Sequence, residues 1–132
     1  MNSPNPSNFQ VSIPDIFNRS KTGFLQFRQF QNQHAAHFDP DKLKAFDVLW
    51  NAYEKAVNAV IENGATSQSA QLLMQACRAI NRMAGYESTP QMELSKEDAH
   101  QYEHLRHKMR GFVEMAACIE RIEKSLRPRT LP

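Results

Sequence analysis

The feature that most constrains the fold is a long stretch, residues 95–127, that contains no proline and one glycine. Its apolar side chains recur at alternating steps of three and four residues, the spacing of one stripe on an α-helix in a bundle or coiled coil. Glu123 is the only polar member of the series. At 1.5 Å per residue, this helix would be roughly 50 Å long. Its apolar stripe consists of Tyr102, Leu105, Met109, Phe112, Ala116, Ile119 and Leu126.

Two shorter helices are predicted before this stretch. Asp39-Pro40 is a strong helix start, because the carboxylate can accept hydrogen bonds from unpaired backbone N–H groups and proline suits the first position. The helix over residues 40–63 carries a wide apolar stripe that favours a bundle, and Gly64 ends it. A third helix, capped by Thr66 or Ser67, runs to about residue 84. The short turn between the two predicts an antiparallel hairpin.

The N-terminal segment divides into two parts. Residues 1–15 are rich in Asn, Ser and Pro and are predicted to be a disordered tail. Residues 16–38 contain five phenylalanines and no acidic residue, and a helix is predicted from about Gly23 to His37. The sequence therefore predicts an all-α protein: an antiparallel bundle of three to four helices over residues 16–132, with a long C-terminal helix and a flexible N-terminal tail.

The apolar stripe of the C-terminal helix is longer than the hairpin that should cover it. The hairpin helices would be roughly 35 and 27 Å long, which leaves an overhang of about 15–20 Å. The aromatic N-terminal helix, a second copy of the chain or a different protein could cover this overhang. Gly111 could instead bend or break the long helix, because glycine costs about 1 kcal/mol in a helix interior. The predicted partner-binding residues are Phe24, Phe27, Phe30, Tyr102, Leu105, Met109 and Phe112.

Composition and charge exclude several classes of protein. No run of eighteen apolar residues is present, and the N-terminus lacks the basic and apolar regions of a secretory signal peptide. The net charge of +2 is too small to indicate nucleic-acid binding by itself. Cys77 and Cys118 lie among apolar neighbours, so buried thiols are favoured over a disulfide, and a reducing, cytoplasmic location is expected.

The aromatic segment over residues 16–38 has three interpretations. Phenylalanines beside Arg19, Lys21 and Arg28 could stack on single-stranded nucleic acid. The same segment could lie on a membrane surface. A phenylalanine stripe at helical spacing is, however, most often core or an anchor for another helix, and this interpretation is favoured.

Two groups of histidines have spacings that could suit a metal ion. His100, His104 and His107 share one helical face, and His34 and His37 are three residues apart. The first face lies away from the apolar stripe, where no neighbouring group would orient the rings, and no carboxylate or cysteine lies beside the second pair. No metal site is therefore assigned to either group.

The segment His107-Lys108-Met109-Arg110-Gly111 has the form His-x-apolar-basic-Gly. It resembles the phosphoacceptor motif of histidine-containing phosphotransfer domains, which are also small helical bundles. The resemblance implies that His107 would accept the phosphoryl group, that Arg110 would meet its charge, and that Gly111 would leave room for a response-regulator partner.

No catalytic constellation is visible in the sequence. It contains no glycine-rich phosphate loop and no Cys–His pair in a nucleophile context, so no enzyme, cofactor or catalytic residue is predicted. The favoured function is protein–protein interaction, as an adaptor, small regulator or chaperone-like subunit that binds another protein or a second copy of itself. The alternatives are a secreted or injected bacterial factor with an unstructured export signal, a nucleic-acid-binding regulator that uses residues 16–38 with Arg127 and Arg129, and a phosphotransfer-like protein.

Overall fold

The computed structural model describes residues 6–126, and within that range every regular element is helical. A 3₁₀ turn over Lys108–Arg110 joins the last two α-helices without a gap, so that residues 96–126 form one rod. The all-α prediction with a long C-terminal helix is confirmed. The five α-helices are α1 (Pro6–Gln33), α2 (Pro40–Asn63), α3 (Ser67–Arg82), α4 (Lys96–His107) and α5 (Gly111–Leu126).

The bundle has four members arranged up-down-up-down. Helix α1 contacts both α2 and α5, and α3 contacts the same two helices, so α2 and α5 lie diagonally opposite each other. The α4 half of the rod packs against α1. The antiparallel directions follow from the contacting pairs Arg28–Asp47, Ser20–Tyr53, His34–Asp98 and Arg19–Glu114.

The helix ends follow the local signals in the sequence. Asp39 accepts a hydrogen bond from the backbone N–H of Asp41 at 2.9 Å. Gly64 has a φ of 79°, a left-handed conformation that glycine adopts at low cost, and it ends α2. Thr66 forms a capping box with Ser69 at the start of α3. Ser95 caps α4, so each of the predicted caps is used.

Helix α1 begins earlier than predicted. The helix expected over about 23–37 instead runs from Pro6 to Gln33, and Pro14 lies inside it. An interior proline costs about 3 kcal/mol, but burying an isoleucine side chain contributes about 1.5–3 kcal/mol. Ile13 and Ile16 are both buried, which offsets the penalty. Residues 6–15 of the predicted tail are therefore helical, and residues 1–5 lie outside the described residues.

The length of α1 explains how the apolar stripe of the rod is covered. Its 28 residues span about 42 Å, nearly the length of the rod. Tyr102 contacts the rings of Phe27, Phe30 and Phe38, with ring centroids at 5.2, 5.8 and 5.9 Å. The first of the three predicted coverings, by the aromatic N-terminal helix of the same chain, is thus the one that the structure contains.

A buried polar network fixes α1 against α2 and the segment after α3. The guanidinium of Arg28 donates two hydrogen bonds to the carboxylate of Asp47, at 2.8 and 3.0 Å. It also donates to Gln31, whose amide donates in turn to Ser88 at 3.3 Å. Ser88 donates to the carbonyl of Met83, in a π-helical turn over Met83–Glu87 that continues α3. The chain therefore stays helical beyond the residue where α3 was expected to stop.

Both cysteines are buried and neither forms a disulfide, as predicted. Burial raises the pKa of the Cys77 thiol from 9.0 to about 12, against the opposing charge of Arg78. Burial also raises the pKa of Cys118, opposed by Arg121. The neutral thiol is thus the form that the folded protein favours.

We expect the free energy of unfolding to fall as the pH rises above about 9. Between the pKa of the unfolded thiol and the higher pKa of the folded one, only the unfolded chain loses its proton. The free energy of unfolding therefore falls by up to about 1.4 kcal/mol per pH unit for each group. Burial raises the pKa of Tyr102 to about 12, so this tyrosine adds to the fall in stability above pH 10. Urea unfolding at pH 8, 9 and 10 measures the slope. A Cys77→Ala variant should show a shallower decline, and a pH-independent midpoint would contradict the prediction.

Candidate interaction site

The seven predicted partner-binding residues all lie in the core of the bundle. Each is at most 9% exposed. Phe24 stacks on Trp50 at 4.6 Å, and Phe112 meets Tyr53 edge-on at 4.9 Å. A partner could reach these side chains only if α1 moved away from the rod. Their role in partner binding stays a prediction, and the surface that is open to a partner consists of other residues.

The basic residues of the aromatic segment are each held by a carboxylate. Arg28 pairs with Asp47, and Arg19 pairs with Glu114 at 2.8 Å. Lys21 lies 4.0 Å from Glu54. These contacts tie α1 to α2 and α5, which leaves little uncompensated charge for phosphate contacts. Arg127 and Arg129, which the nucleic-acid hypothesis also uses, lie outside the described residues.

The two groups of histidines differ in their surroundings among the described residues, since His34 and His37 contact neighbouring segments of the chain and the group on α4 does not. The Nε2 atom of His34 lies 3.3 Å from a carboxylate oxygen of Asp98, and the Nδ1 atom of His37 lies 3.3 Å from the carbonyl oxygen of Met92. Residues 100, 104 and 107 are exposed along α4. Within residues 6–126, no group of three or more His, Cys, Asp or Glu side chains has the geometry of a metal site.

Two segments without acidic residues meet on one side of the bundle. They are residues 63–86, which include α3, and residues 104–113, at the junction of α4 and α5. Their basic side chains are all exposed. Together the two segments carry five Arg and Lys residues and no carboxylate, whereas the whole chain has a net charge of +2. The exposed basic residues of these segments are Arg78, Arg82, His104, Arg106, His107, Lys108 and Arg110.

A cavity of about 230 Å³ lies where these two segments meet, and we refer to it as the basic pocket. The end of α3 and its π-turn supply one wall, with Asn81, Ala84 and Gly85. The rod, at and beside its 3₁₀ turn, supplies the other. None of the described residues that line the pocket is acidic. The rod residues that line it are Arg106, His107, Met109, Arg110 and Val113.

The charges of the basic pocket are only partly compensated. Arg106 donates to Glu103 at 3.2 Å, across one turn of an exposed helix surface. Among residues 6–126, no carboxylate lies within ion-pair distance of Arg110 or His107. Isolated exposed pairs such as Arg106–Glu103 contribute about 1 kcal/mol or less, so the guanidinium can exchange partners readily. The pocket can therefore hold an anion without first breaking a strong internal contact.

The backbone around the pocket is fixed by a close contact between α1 and the rod. A β-carbon at Gly23 would lie 2.6 Å from the carbonyl oxygen of Lys108. A β-carbon at Gly111 would lie 2.8 Å from Cβ of Ser20. The glycines allow the two helices to touch where the rod tightens into its 3₁₀ turn. The rod therefore tightens into a 3₁₀ turn at this point, and α1 contacts it on both sides of the turn, so it is not split into separately packed halves.

The phosphotransfer-like segment lies at this same place. His107 and Arg110 are exposed and line the basic pocket, and phosphotransfer through them stays a prediction. Gly111 is buried against Ser20, so packing of α1 explains this glycine without an external partner.

Sequence reasoning missed Arg106, Asn81 and Gly85 as members of the site. The absence of acidic residues over 104–113 is the signal that could have identified the rod side of the pocket. The contribution of α3 depends on how the helices pack and has no local signal.

No described helix combines the length and the hydropathy needed to cross a lipid bilayer. Comparison with known proteins returned no matching family model, no matching curated protein and no matching solved structure.

Proposed function

We propose that this protein is a non-enzymatic interaction module that binds an acidic segment of another protein through its basic pocket. The observation that carries this proposal is the pair of exposed, uncompensated side chains, Arg110 and His107, on a pocket without any acidic lining residue. An adaptor, a small regulator or a chaperone-like subunit of an assembly would each use such a surface.

The composition of the pocket supports a protein partner. Val113 is 54% exposed beside the arginines, and Ala84 and Met109 are buried beneath them. A partner side chain could therefore contact apolar surface while a nearby acidic group meets the guanidinium groups. Arginine is enriched in protein interfaces because its planar fork pairs with carboxylates in two-point geometry.

The other proposals have less support in the geometry. Nucleic-acid binding through residues 16–38 would have to compete with the carboxylates that hold the basic side chains there. Export through an unstructured signal over residues 1–15 has less support, because α1 begins at Pro6. Phosphotransfer keeps the support of an exposed His107 beside Arg110. The buried cysteines, which form no disulfide, fit a reducing cytoplasmic location.

The proposal predicts that neutralising the pocket removes binding partners. The full-length chain would be compared with an Arg106→Gln/Arg110→Gln variant and with a Lys44→Gln/Lys55→Gln control. The control lysines are exposed on α2, which lies diagonally opposite α5. Proteins retained by each immobilised form would be quantified, and the affinity of any retained protein measured by calorimetry.

We expect at least one protein to be retained by the wild type and the α2 control but bound at least tenfold more weakly by the pocket variant. A tenfold loss corresponds to about 1.4 kcal/mol, a modest value for two charges that contact a partner. The proposed function would be contradicted if the wild type, the pocket variant and the α2 control retained the same proteins with equal affinities. Unchanged circular dichroism of the variant would show that the bundle remains folded.

A further inference from the structure

We infer that the basic pocket recognises a phosphorylated side chain of the partner, with Arg106, Arg110 and His107 holding the phosphoryl group. This inference rests on the proposed function and specifies the chemistry of the ligand. It concerns reversible binding, in which no bond to phosphorus forms or breaks.

The number and placement of the charges favour a phosphoryl group over a carboxylate. Arg106 and Arg110 are four residues apart on the rod and line the same pocket. A phosphomonoester carries a charge of about −1.5 to −2 near neutral pH and presents three oxygens. It can therefore engage both guanidinium groups and the imidazole of His107 together. A single carboxylate, with two oxygens and one charge, can pair with one guanidinium group at two points but cannot engage the second guanidinium group and the imidazole as well.

The opposite wall of the pocket leaves room for such a group. A β-carbon at Gly85 would meet no atom within 4 Å, and a positive φ occurs only at Gly64 among the glycines of the described chain. Neither packing nor backbone conformation therefore requires glycine at this position. The missing side chain widens the cavity opposite the arginines. The amide of Asn81, on the same wall, can donate a further hydrogen bond.

Both walls are formed where a helix departs from regular α geometry. The π-turn over Met83–Glu87 keeps the chain helical past the end of α3 and so places Gly85 in the wall. The 3₁₀ turn over Lys108–Arg110 lies directly across from it. Single π-turns and short 3₁₀ stretches inside helices often coincide with functional sites. Gly23 and Ser20 hold the rod from the other side, so the arginines project from a supported backbone.

The inference is tested by recording backbone amide NMR spectra of the full-length protein during a titration with inorganic phosphate. Sodium acetate is titrated separately at matched ionic strength. We expect saturable shifts centred on residues 81–85 and 106–110 with phosphate. The apparent affinity for acetate should be at least tenfold weaker. The Arg106→Gln/Arg110→Gln variant should lose the phosphate response at least tenfold, and the Lys44→Gln/Lys55→Gln control should keep it.

A second arm separates a phosphorylated protein from nucleic acid as the source of the phosphate. A phosphoserine peptide should bind the pocket, whereas its unphosphorylated form should not. A single-stranded oligonucleotide should not displace the phosphopeptide at equal concentration of phosphate groups. Preferential binding of the oligonucleotide would overturn the inference, and so would equal responses to acetate and phosphate or non-saturating shifts spread over all exposed basic residues.

The failure of this inference can be told apart from the failure of the proposed function. If the pocket variant loses protein partners while phosphate and the phosphopeptide do not bind, acidic-segment binding stands and the phosphoryl assignment falls. If phosphate binds the pocket but the retained proteins are unchanged in the variant, the phosphoryl pocket stands and its role in partner recruitment falls.

Discussion

Replacing Phe27 with alanine is expected to destabilise the protein by about 3–5 kcal/mol. The ring of Phe27 is fully buried, meets Phe46 edge-on at 5.9 Å and lies 5.2 Å from Tyr102. Its removal leaves a cavity where α1, α2 and α4 meet, which the surrounding rigid rings cannot fill. Since single domains are stable by about 5–15 kcal/mol, the variant should lose a large fraction of its stability.

Chemical denaturation measures the effect, with the matched variant Leu25→Ala as the control. Leu25 lies on the same helix but is 54% exposed, so its truncation should change the free energy of unfolding by less than about 0.5 kcal/mol. If Phe27 were chiefly a partner contact, both variants would unfold at the wild-type denaturant concentration. Similar midpoints for Phe27→Ala and the wild type would therefore argue that α1 does not cover the rod.

The sequence was sufficient to predict the helices and their caps, because these depend on local chemistry. Asp39 and Ser95 each accept a hydrogen bond from a backbone N–H group in the first turn of a helix, and Gly64 adopts the positive φ that ends α2. The apolar spacing from Tyr102 to Ile119 likewise identified most of the buried face of the rod, although Met115 is also buried and Leu126, which the stripe included, is exposed.

The start of α1 was missed because the cost of a proline inside a helix was considered without the apolar burial that compensates for it in the bundle. Pro14 disfavours a helix by itself, but Ile13 and Ile16 become buried only once α1 packs into the bundle. The resulting helix is long enough to cover the rod. Because α1 covers the rod, Tyr102 and Met109 lie in the core, and their assignment to partner binding stays a prediction.

The candidate site was only half visible in the sequence. His107 and Arg110 drew attention through a short motif, and Arg106 lies beside them in an acid-free segment. Asn81 and Gly85 come from more than twenty residues earlier, and they join the site because α3 packs on α5 and then continues into a π-turn. The packing of all the helices brings these two segments together, so the site cannot be predicted from any one stretch of the sequence.

Gly111 illustrates the same limit and leads to the second large expected effect. By helix propensity alone, Gly111→Ala should stabilise the rod by about 1 kcal/mol. In the folded protein, the added β-carbon would lie 2.8 Å from Cβ and 2.9 Å from Cα of Ser20. Ser20 cannot easily retreat, because it is fully buried and its hydroxyl contacts the carbonyl of Phe17 at 2.8 Å and the hydroxyl of Tyr53 at 3.0 Å. Helix α1 must therefore shift as a unit.

We expect Gly111→Ala to lower the free energy of unfolding by up to about 2 kcal/mol, since overpacking of a core typically costs about 1–3 kcal/mol and the gain in propensity offsets about 1 kcal/mol of that cost. Gly23→Ala should act in the same direction, because its β-carbon would meet the backbone carbonyl of Lys108. Gly85→Ala is the matched control: its β-carbon meets nothing within 4 Å, so its stability should be unchanged or slightly raised. Urea unfolding of the three variants at one pH separates the cost of overpacking from the gain in helix propensity. A stability gain for Gly111→Ala equal to that of Gly85→Ala would show that α1 and the rod do not touch at this crossing.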